Sequence, residues 1–201
     1  SAASDVYKRQ LRTHIRGVLS VHPDWQPQFA PFQIEGACIL ADWDALKALA
    51  AHSHDVPALA MARALLAMRE DDAPQFARAV HDARTQLGHP LLGAGRVAYT
   101  HVYDALTQLH ILHELELVYG ARADADARAQ LARSLDARFR ATLPSFRTRE
   151  PVLSVRRSAF LACASRTSVQ AAIGAAWIGT AKTARRAGHT QPCLLYTSPS
   201  P

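Results

Sequence analysis

The sequence has few cysteines and no long apolar segment. It contains 3 cysteines in 201 residues, and they lie far apart at Cys38, Cys163 and Cys193. Isolated cysteines provide neither a zinc site nor a disulfide framework, and they are typical of a reducing compartment. No apolar run approaches the ~18 residues that a membrane-spanning helix needs. These absences argue against a disulfide-rich secreted domain and against a contact with membranes.

Motifs that carry catalysis are missing as well. The sequence has no His-Glu-x-x-His and no Gly-x-Ser-x-Gly stretch. Gly93-Ala94-Gly95 is not followed by the Gly-Lys-Ser/Thr of a phosphate-binding loop, so we interpret it as a loop before a helix. Cys163 has no histidine close to it in sequence. We therefore predict no catalytic, cofactor-binding or metal-binding residue in this chain.

Two histidines deserve a separate test as metal ligands. His110 and His113 are three residues apart, which places them on one helical face, and Glu114 is beside them. No third ligand is at hand, and His113 continues an apolar stripe formed by Leu106, Leu109 and Leu117. A packed or interfacial histidine is therefore the interpretation that we prefer to a metal site.

The charge excess is small and dispersed. The formal net charge is +6 at pH 7, and most of it comes from arginines interspersed with aspartate and glutamate. The nearest cluster, Lys182, Arg185 and Arg186, is too small for a nucleic-acid-binding face. We predict no direct contact with nucleic acid.

The two ends resemble translated sequencing adapters. "DVYKRQ" at residues 5–10 resembles the transposon mosaic end used in library preparation, and "CLLYTS" at 193–198 resembles its reverse complement. We expect residues 1–10 and 193–201 to be artefacts without regular structure, and we exclude them from fold reasoning. Residues 11–192 are then a partial domain.

The remaining composition favours helices. Alanine, leucine and arginine are abundant and form helices readily, whereas valine and isoleucine do not alternate as in strands. Glycine and proline interrupt the chain at helix-sized intervals. The predicted helices cover 11–20, 31–41, 43–52, 57–69, 73–87, 94–119, 124–143, 151–163 and 170–187. Because none of them is long enough to be stable alone, we predict an all-α fold, an α-solenoid of antiparallel helix pairs resembling diverged tetratricopeptide repeats.

Helix ends are predicted from local signals. Asp42 and the Asp72–Gln75 stretch have the positions of N-caps, and Thr167–Gln170 has the spacing of a capping box. Asp71 and Asp72 are both interpreted as residues at a helix start. Gly88, followed by Pro90, and Gly188 are predicted to end helices.

Tryptophan positions indicate how two helices pack. Trp43 and Trp177 each lie in a helix among small or apolar residues. Trp177 shares one helical face with Val169, Ile173, Thr180 and Ala184, and we expect that face to pack on the preceding helix. Val152, Val155 and Ala159 form the matching stripe, and small neighbours at Ala176, Ala181 and Ala184 allow a close approach.

Four stretches resemble one protein family. Taken in order, they are "EGACILADWD" (35–44), "LHILHELE" (109–116), "EPVLSVRR" (150–157) and "WIGTAKTARRAGH" (177–189). In this order and spacing they resemble the FAT domain of the phosphatidylinositol-3-kinase-related protein kinases, and within these most closely the ATR-type checkpoint kinases. His113 departs from the pattern, which has an apolar residue or cysteine there, and this counts further against a metal site.

The resemblance implies a regulatory scaffold. FAT domains in this family are α-solenoids that clamp around a kinase domain, contribute dimer contacts and relay regulation. ATP and Mg²⁺ would bind in the kinase domain of a longer parent chain, a nuclear serine/threonine kinase of the DNA-damage response, and no cofactor would bind in this fragment. The expected partners are that kinase domain and neighbouring helical repeats. A tetratricopeptide-like interaction module of an unrelated regulator remains the alternative.

Overall fold

The fold is an array of helices. The computed structural model describes residues 2–52, 57–92, 99–122, 124–163 and 170–188, and in these ranges the chain forms nine α-helices, a 3-10 turn and no strand. The helices are α1 (Ala2–Val21), α2 (Gln26–Leu40), α3 (Trp43–His52), α4 (Pro57–Glu70), α5 (Ala73–Leu92), α6 (Tyr99–Gly120), α7 (Ala125–Ala141), α8 (Phe146–Ala162) and α9 (Gln170–Arg186), with the 3-10 turn at Pro23–Trp25. The predicted all-α repeat fold is confirmed.

Side-chain caps define several helix starts. Asp42 Oδ1 accepts a hydrogen bond from the Ala45 amide at 3.1 Å, and Asp72 Oδ1 accepts one from Gln75 at 2.8 Å. Both predicted caps are therefore confirmed, and each satisfies an amide that has no partner within its helix. The predicted capping box at 167–170 begins outside the described residues.

Asp71, which precedes the N-cap residue Asp72 of α5, was predicted to lie at a helix start. That prediction is wrong. The backbone of Asp71 has a φ of 59°, so it terminates α4 in the left-handed region, and its carboxylate accepts a hydrogen bond from Arg122 Nε at 2.8 Å. Aspartate tolerates this backbone conformation better than most residues, which explains why it is suitable at this turn.

Several predicted boundaries are wrong. Helix α1 includes residues 2–10, which we expected to lack regular structure, because this stretch contains neither glycine nor proline to interrupt a helix. Helix α5 continues past Gly88 to Leu92, since Gly88 does not adopt a positive φ, whereas Gly188 does so at 75°. A helix can tolerate one glycine at a cost of about 1 kcal/mol.

Two prolines lie deeper in helices than predicted. Pro31 is inside α2 and Pro151 is inside α8, although both were expected in a first turn. Helix α8 begins earlier because Ser145 Oγ caps it by accepting a hydrogen bond from the Thr148 amide at 3.2 Å. Each proline lacks an amide hydrogen, so one backbone hydrogen bond close to the helix start is missing. Tertiary packing compensates for the loss of that bond.

The core is formed mainly by α2, α4, α5, α6 and α8. Its fully buried side chains include Ile34, Leu65, Met68, Leu112 and Leu115. On α6, the stripe formed by Leu106, Leu109 and Leu117 is only partly buried, with Leu109 and Leu117 packed against the core. Leu106 is 48% exposed, whereas Ile111, Leu112, Leu115 and Val118 are buried. Two apolar faces on one helix make such an assignment ambiguous from spacing alone.

Helix α8 occupies the centre of the array. It contacts α2, α4, α6 and α9. Although its sequence is rich in arginine and serine, most of its residues are buried. A polar helix in this position needs internal partners for its side chains, and those partners define the candidate site.

Candidate functional site

Two adjacent arginines of α8 are buried. Arg156 is 7% exposed and Arg157 is 2% exposed, and Glu114 of α6 is 2% exposed. Burying an ionised side chain is strongly unfavourable unless another group pairs with it and satisfies its hydrogen bonds. The stability of the centre of the fold therefore depends on the charge and hydrogen-bond partners of these three side chains.

Arg156 joins three helices. Its Nε donates to Glu114 Oε2 at 2.8 Å and its Nη2 donates to Glu114 Oε1 at 2.7 Å. The same Nη2 donates to the Leu135 carbonyl of α7 at 3.2 Å. This two-bond geometry is the strongest form of an arginine–carboxylate pair, and it fixes α6, α7 and α8 relative to one another.

His110 is a second residue that contacts the Glu114 carboxylate. Its Nε2 lies 3.1 Å from Glu114 Oε1, and its Nδ1 lies 3.3 Å from Arg138 Nη2. Arginine can only donate, so Nδ1 accepts, and Nε2 carries the proton that is donated to the carboxylate. Burial raises the pKa of Glu114, but the hydrogen bonds from His110 and Arg156, together with the charge of Arg156, outweigh this effect, so the pKa is lowered overall.

The two histidines do not converge on one point. His113 Nδ1 lies 3.3 Å from Glu116 Oε2, so each imidazole contacts a different carboxylate. Among the residues that the structure describes, no three histidine, cysteine, aspartate or glutamate side chains are grouped so that they could hold a metal ion. Gly93-Ala94-Gly95 lies outside the described residues.

Arg157 joins α8 to α9. Its Nη1 donates to Thr180 Oγ1 at 2.8 Å, its Nη2 donates to Ser154 Oγ at 2.7 Å, and its guanidinium carbon lies 3.9 Å from the centroid of the Trp177 ring. The Ser154 hydroxyl in turn donates to Glu150 Oε1. Arg157 therefore combines hydrogen bonds with a cation–π contact.

The sequence indicated that Trp177 fills a gap beside small residues, and in the structure it does not. It is half-buried and covers Arg157. The close approach of α8 and α9 occurs at smaller side chains, since Ala176 and Ala184 are buried as predicted. A Cβ atom on Gly179 would lie 3.3 Å from Leu153 Cδ1, which shows how tightly the two helices pack there.

A hydroxyl of α8 also reaches α2. Ser158 Oγ donates to the carbonyl oxygen of Cys38 at 2.6 Å, and both residues are buried. Burial, with a smaller contribution from the charge of Glu35, raises the pKa of the Cys38 thiol to about 12. Cys38 and Cys163 are both buried free thiols. We call the side chains of Glu114, Ser154, Arg156, Arg157, Ser158, Trp177 and Thr180, together with His110, the arginine network.

The comparison with protein families identifies this fold. A family model of the FAT domain matches residues 30–196. The chain belongs to the FAT domain family. The family predicted from the four sequence stretches is confirmed.

Curated relatives of this FAT domain are kinases of the ATR type. It is 28% identical over 206 residues to "Serine/threonine-protein kinase ATR" of Arabidopsis thaliana, an alignment that covers 91% of this chain and 8% of the relative. It is 26% identical over 198 residues to the protein of that name from Oryza sativa subsp. indica, covering 88% of this chain and 7% of the relative. The chain thus spans less than a tenth of these relatives, and no solved structure matches it.

These relatives bear on the prediction from sequence. The predicted ATR-type kinship is confirmed, and no comparison favours an unrelated tetratricopeptide-like regulator. None of the described helices of the FAT domain is long and apolar enough to cross a bilayer.

All members of the arginine network except Ser158 lie within the stretches that carry the family resemblance. Glu114 and His110 lie in 109–116, Arg156 and Arg157 lie in 150–157, and Trp177 lies in 177–189. The remaining stretch, 35–44, contributes the Cys38 carbonyl. Sequence reasoning recognised these stretches but missed the contacts that join them. No signal in the sequence indicated these contacts, since arginine and glutamate are also common on exposed helix faces.

The hydrogen bonds of the arginine network hold helices in place and leave few groups accessible for catalysis. Both oxygens of Glu114 accept hydrogen bonds from Arg156, and the carboxylate is buried away from solvent. A general acid or base needs access to a substrate and a proton that it can exchange. The arginine network of the FAT domain therefore fits a structural role.

Proposed function

We propose that this FAT domain segment is a regulatory helical scaffold of a longer ATR-type serine/threonine kinase. Its role is to hold the kinase domain of that parent in a working arrangement. The parent binds ATP and Mg²⁺ in its kinase domain and acts in the nucleus in the response to DNA damage. The kinship with ATR-type kinases supports this proposal.

The single observation that carries the proposal is the arginine network. It links α2, α6, α7, α8 and α9 through buried hydrogen bonds. Buried polar networks with satisfied partners favour one arrangement of the helices over others. A segment built in this way can pass a displacement at one end to the other, because its helices cannot slide independently.

The proposed partners lie within the parent chain. They are the kinase domain and the neighbouring helical repeats, with dimer contacts as a further role of the same segment. Direct nucleic-acid contact is not part of the proposal. Lys182, Arg185 and Arg186 are exposed on α9, but three cations at one helix end give only a weak attraction to phosphate.

The test compares a buried and an exposed arginine in the parent kinase. Arg156→Met breaks the arginine network, whereas Arg133→Met makes the same change at an exposed site of α7. We expect Arg156→Met to lower the melting temperature and the yield of active kinase, while the KM for ATP of the remaining folded enzyme stays at the wild-type value. Arg133→Met should behave as wild type in all three measurements.

A different result would contradict the scaffold role. If the Arg156→Met kinase kept the wild-type melting temperature but had a changed KM for ATP, this segment would act on nucleotide binding directly. Equal effects of Arg156→Met and Arg133→Met would show that the buried position of Arg156 has no special importance.

A further inference from the structure

A cavity of about 330 Å³ lies between α2, α4, α5, α6 and α8. This volume is within the range of sites that bind small molecules, about 300–1,000 Å³. Protein interiors are otherwise close-packed. A packing defect between single side chains would be much smaller.

The inner wall of the cavity is apolar apart from the hydroxyl of Ser154. It is formed by side chains that are at most 5% exposed, including Cys38, Ala83, Ile111 and Leu112. A wall of this kind selects an aliphatic or aromatic group, because transfer of apolar surface from water is favourable at about 25 cal/mol per Å².

The mouth of the cavity has a different character. Its polar lining residues Glu35, Gln86 and Gln108 are exposed. The carboxylate of Glu35 is close enough to Cys38 for its charge to contribute to the raised pKa of that thiol. A carboxylate and two amides at the end of an apolar cavity favour a ligand with a positively charged head group.

The cavity is also preformed. Ser158 holds the Cys38 carbonyl at 2.6 Å on one side, and Ser154, which lines the cavity, accepts a hydrogen bond from Arg157. The walls of the cavity are thus attached to the arginine network. Binding to a preformed site requires little ordering of the protein, which favours affinity.

We infer that this cavity binds a small amphiphilic amine, with its apolar tail between α2, α5 and α6 and its ammonium group beside Glu35. The ligand would bridge helices that the arginine network also joins. This inference is independent of the proposed kinase parent, because binding is measured on the 201-residue chain itself.

The test uses three compounds with one tail and different head groups. 4-Phenylbutylamine, 4-phenylbutanol and 4-phenylbutyrate carry a positive, a neutral and a negative head. Isothermal titration calorimetry of the 201-residue chain gives each Kd. We expect the amine to bind about tenfold more tightly than the alcohol, and the acid to bind most weakly. Glu35→Gln should remove the preference for the amine over the alcohol.

Two alanine variants locate the binding site. Ala83→Leu fills the cavity and should abolish binding of all three compounds, whereas Ala77→Leu, at an exposed position of the same helix, should leave every Kd unchanged. If circular dichroism shows that Ala83→Leu does not fold, Ala58→Leu fills the cavity from α4 instead. The inference is overturned if none of the compounds binds, if the acid binds as tightly as the amine, or if the filled variants keep the wild-type affinity.

Discussion

Replacing Arg156 by methionine should destabilise the domain strongly. The change leaves the carboxylate of Glu114 2% exposed and without its two hydrogen bonds from Arg156. Breaking a buried pair by removing one partner costs about 3–5 kcal/mol. A domain of this kind has about 5–15 kcal/mol in total, so the loss is a large part of its stability.

The assay is urea unfolding followed by far-ultraviolet circular dichroism. With an m value of about 2–3 kcal/mol/M, the expected loss lowers the unfolding midpoint by about 1–2.5 M. The exposed control Arg133→Met should shift the free energy of unfolding by no more than about 0.5 kcal/mol.

A double variant separates the pair from its parts. Glu114→Leu together with Arg156→Met removes both buried charges, so it should be less destabilising than the sum of the two single changes. A loss below about 1 kcal/mol for Arg156→Met, or simple additivity in the double variant, would refute the reasoning that this pair is coupled and buried.

Three further predictions concern Glu114, Trp177 and Cys38. The pKa of Glu114 is lower in the folded than in the unfolded state, so its ionised carboxylate stabilises the fold above the unfolded pKa of about 4.3. This stabilisation is lost as the pH falls through the folded pKa. The free energy of unfolding of Glu114→Gln should therefore depend less on pH in the acid range than that of the wild type. Trp177→Ala should cost about 1–2 kcal/mol in urea unfolding, less than a fully buried tryptophan would, because Trp177 is half-buried over Arg157. Burial raises the pKa of the Cys38 thiol to about 12, so iodoacetamide at pH 8 should alkylate it much more slowly than an exposed thiol, as mass spectrometry of the native chain would detect.

Local signals predicted the fold class and several helix starts. Asp42 and Asp72 cap helices because their carboxylates accept hydrogen bonds from amides only three residues away. An interaction over so short a separation can be predicted from the local sequence. The same logic failed for Gly88, where the helix continues, because a glycine permits a helix end without requiring one.

Contacts between distant residues could not be predicted. Glu114 and Arg156 are 42 positions apart, and Ser158 and Cys38 are 120 apart. Nothing in a single sequence indicates which charged residue turns inward, since arginine and glutamate are common on exposed helix faces. The resemblance to FAT domains located the right stretches without revealing that Arg156 and Arg157 are buried within them.

The most direct test of the account is the sequence of the gene on both sides of residues 11–192. We expect the same open reading frame to encode further helical repeats and then a protein kinase domain. A stop codon soon after residue 192, or a continuation without a kinase domain, would contradict the assignment of this segment to an ATR-type kinase.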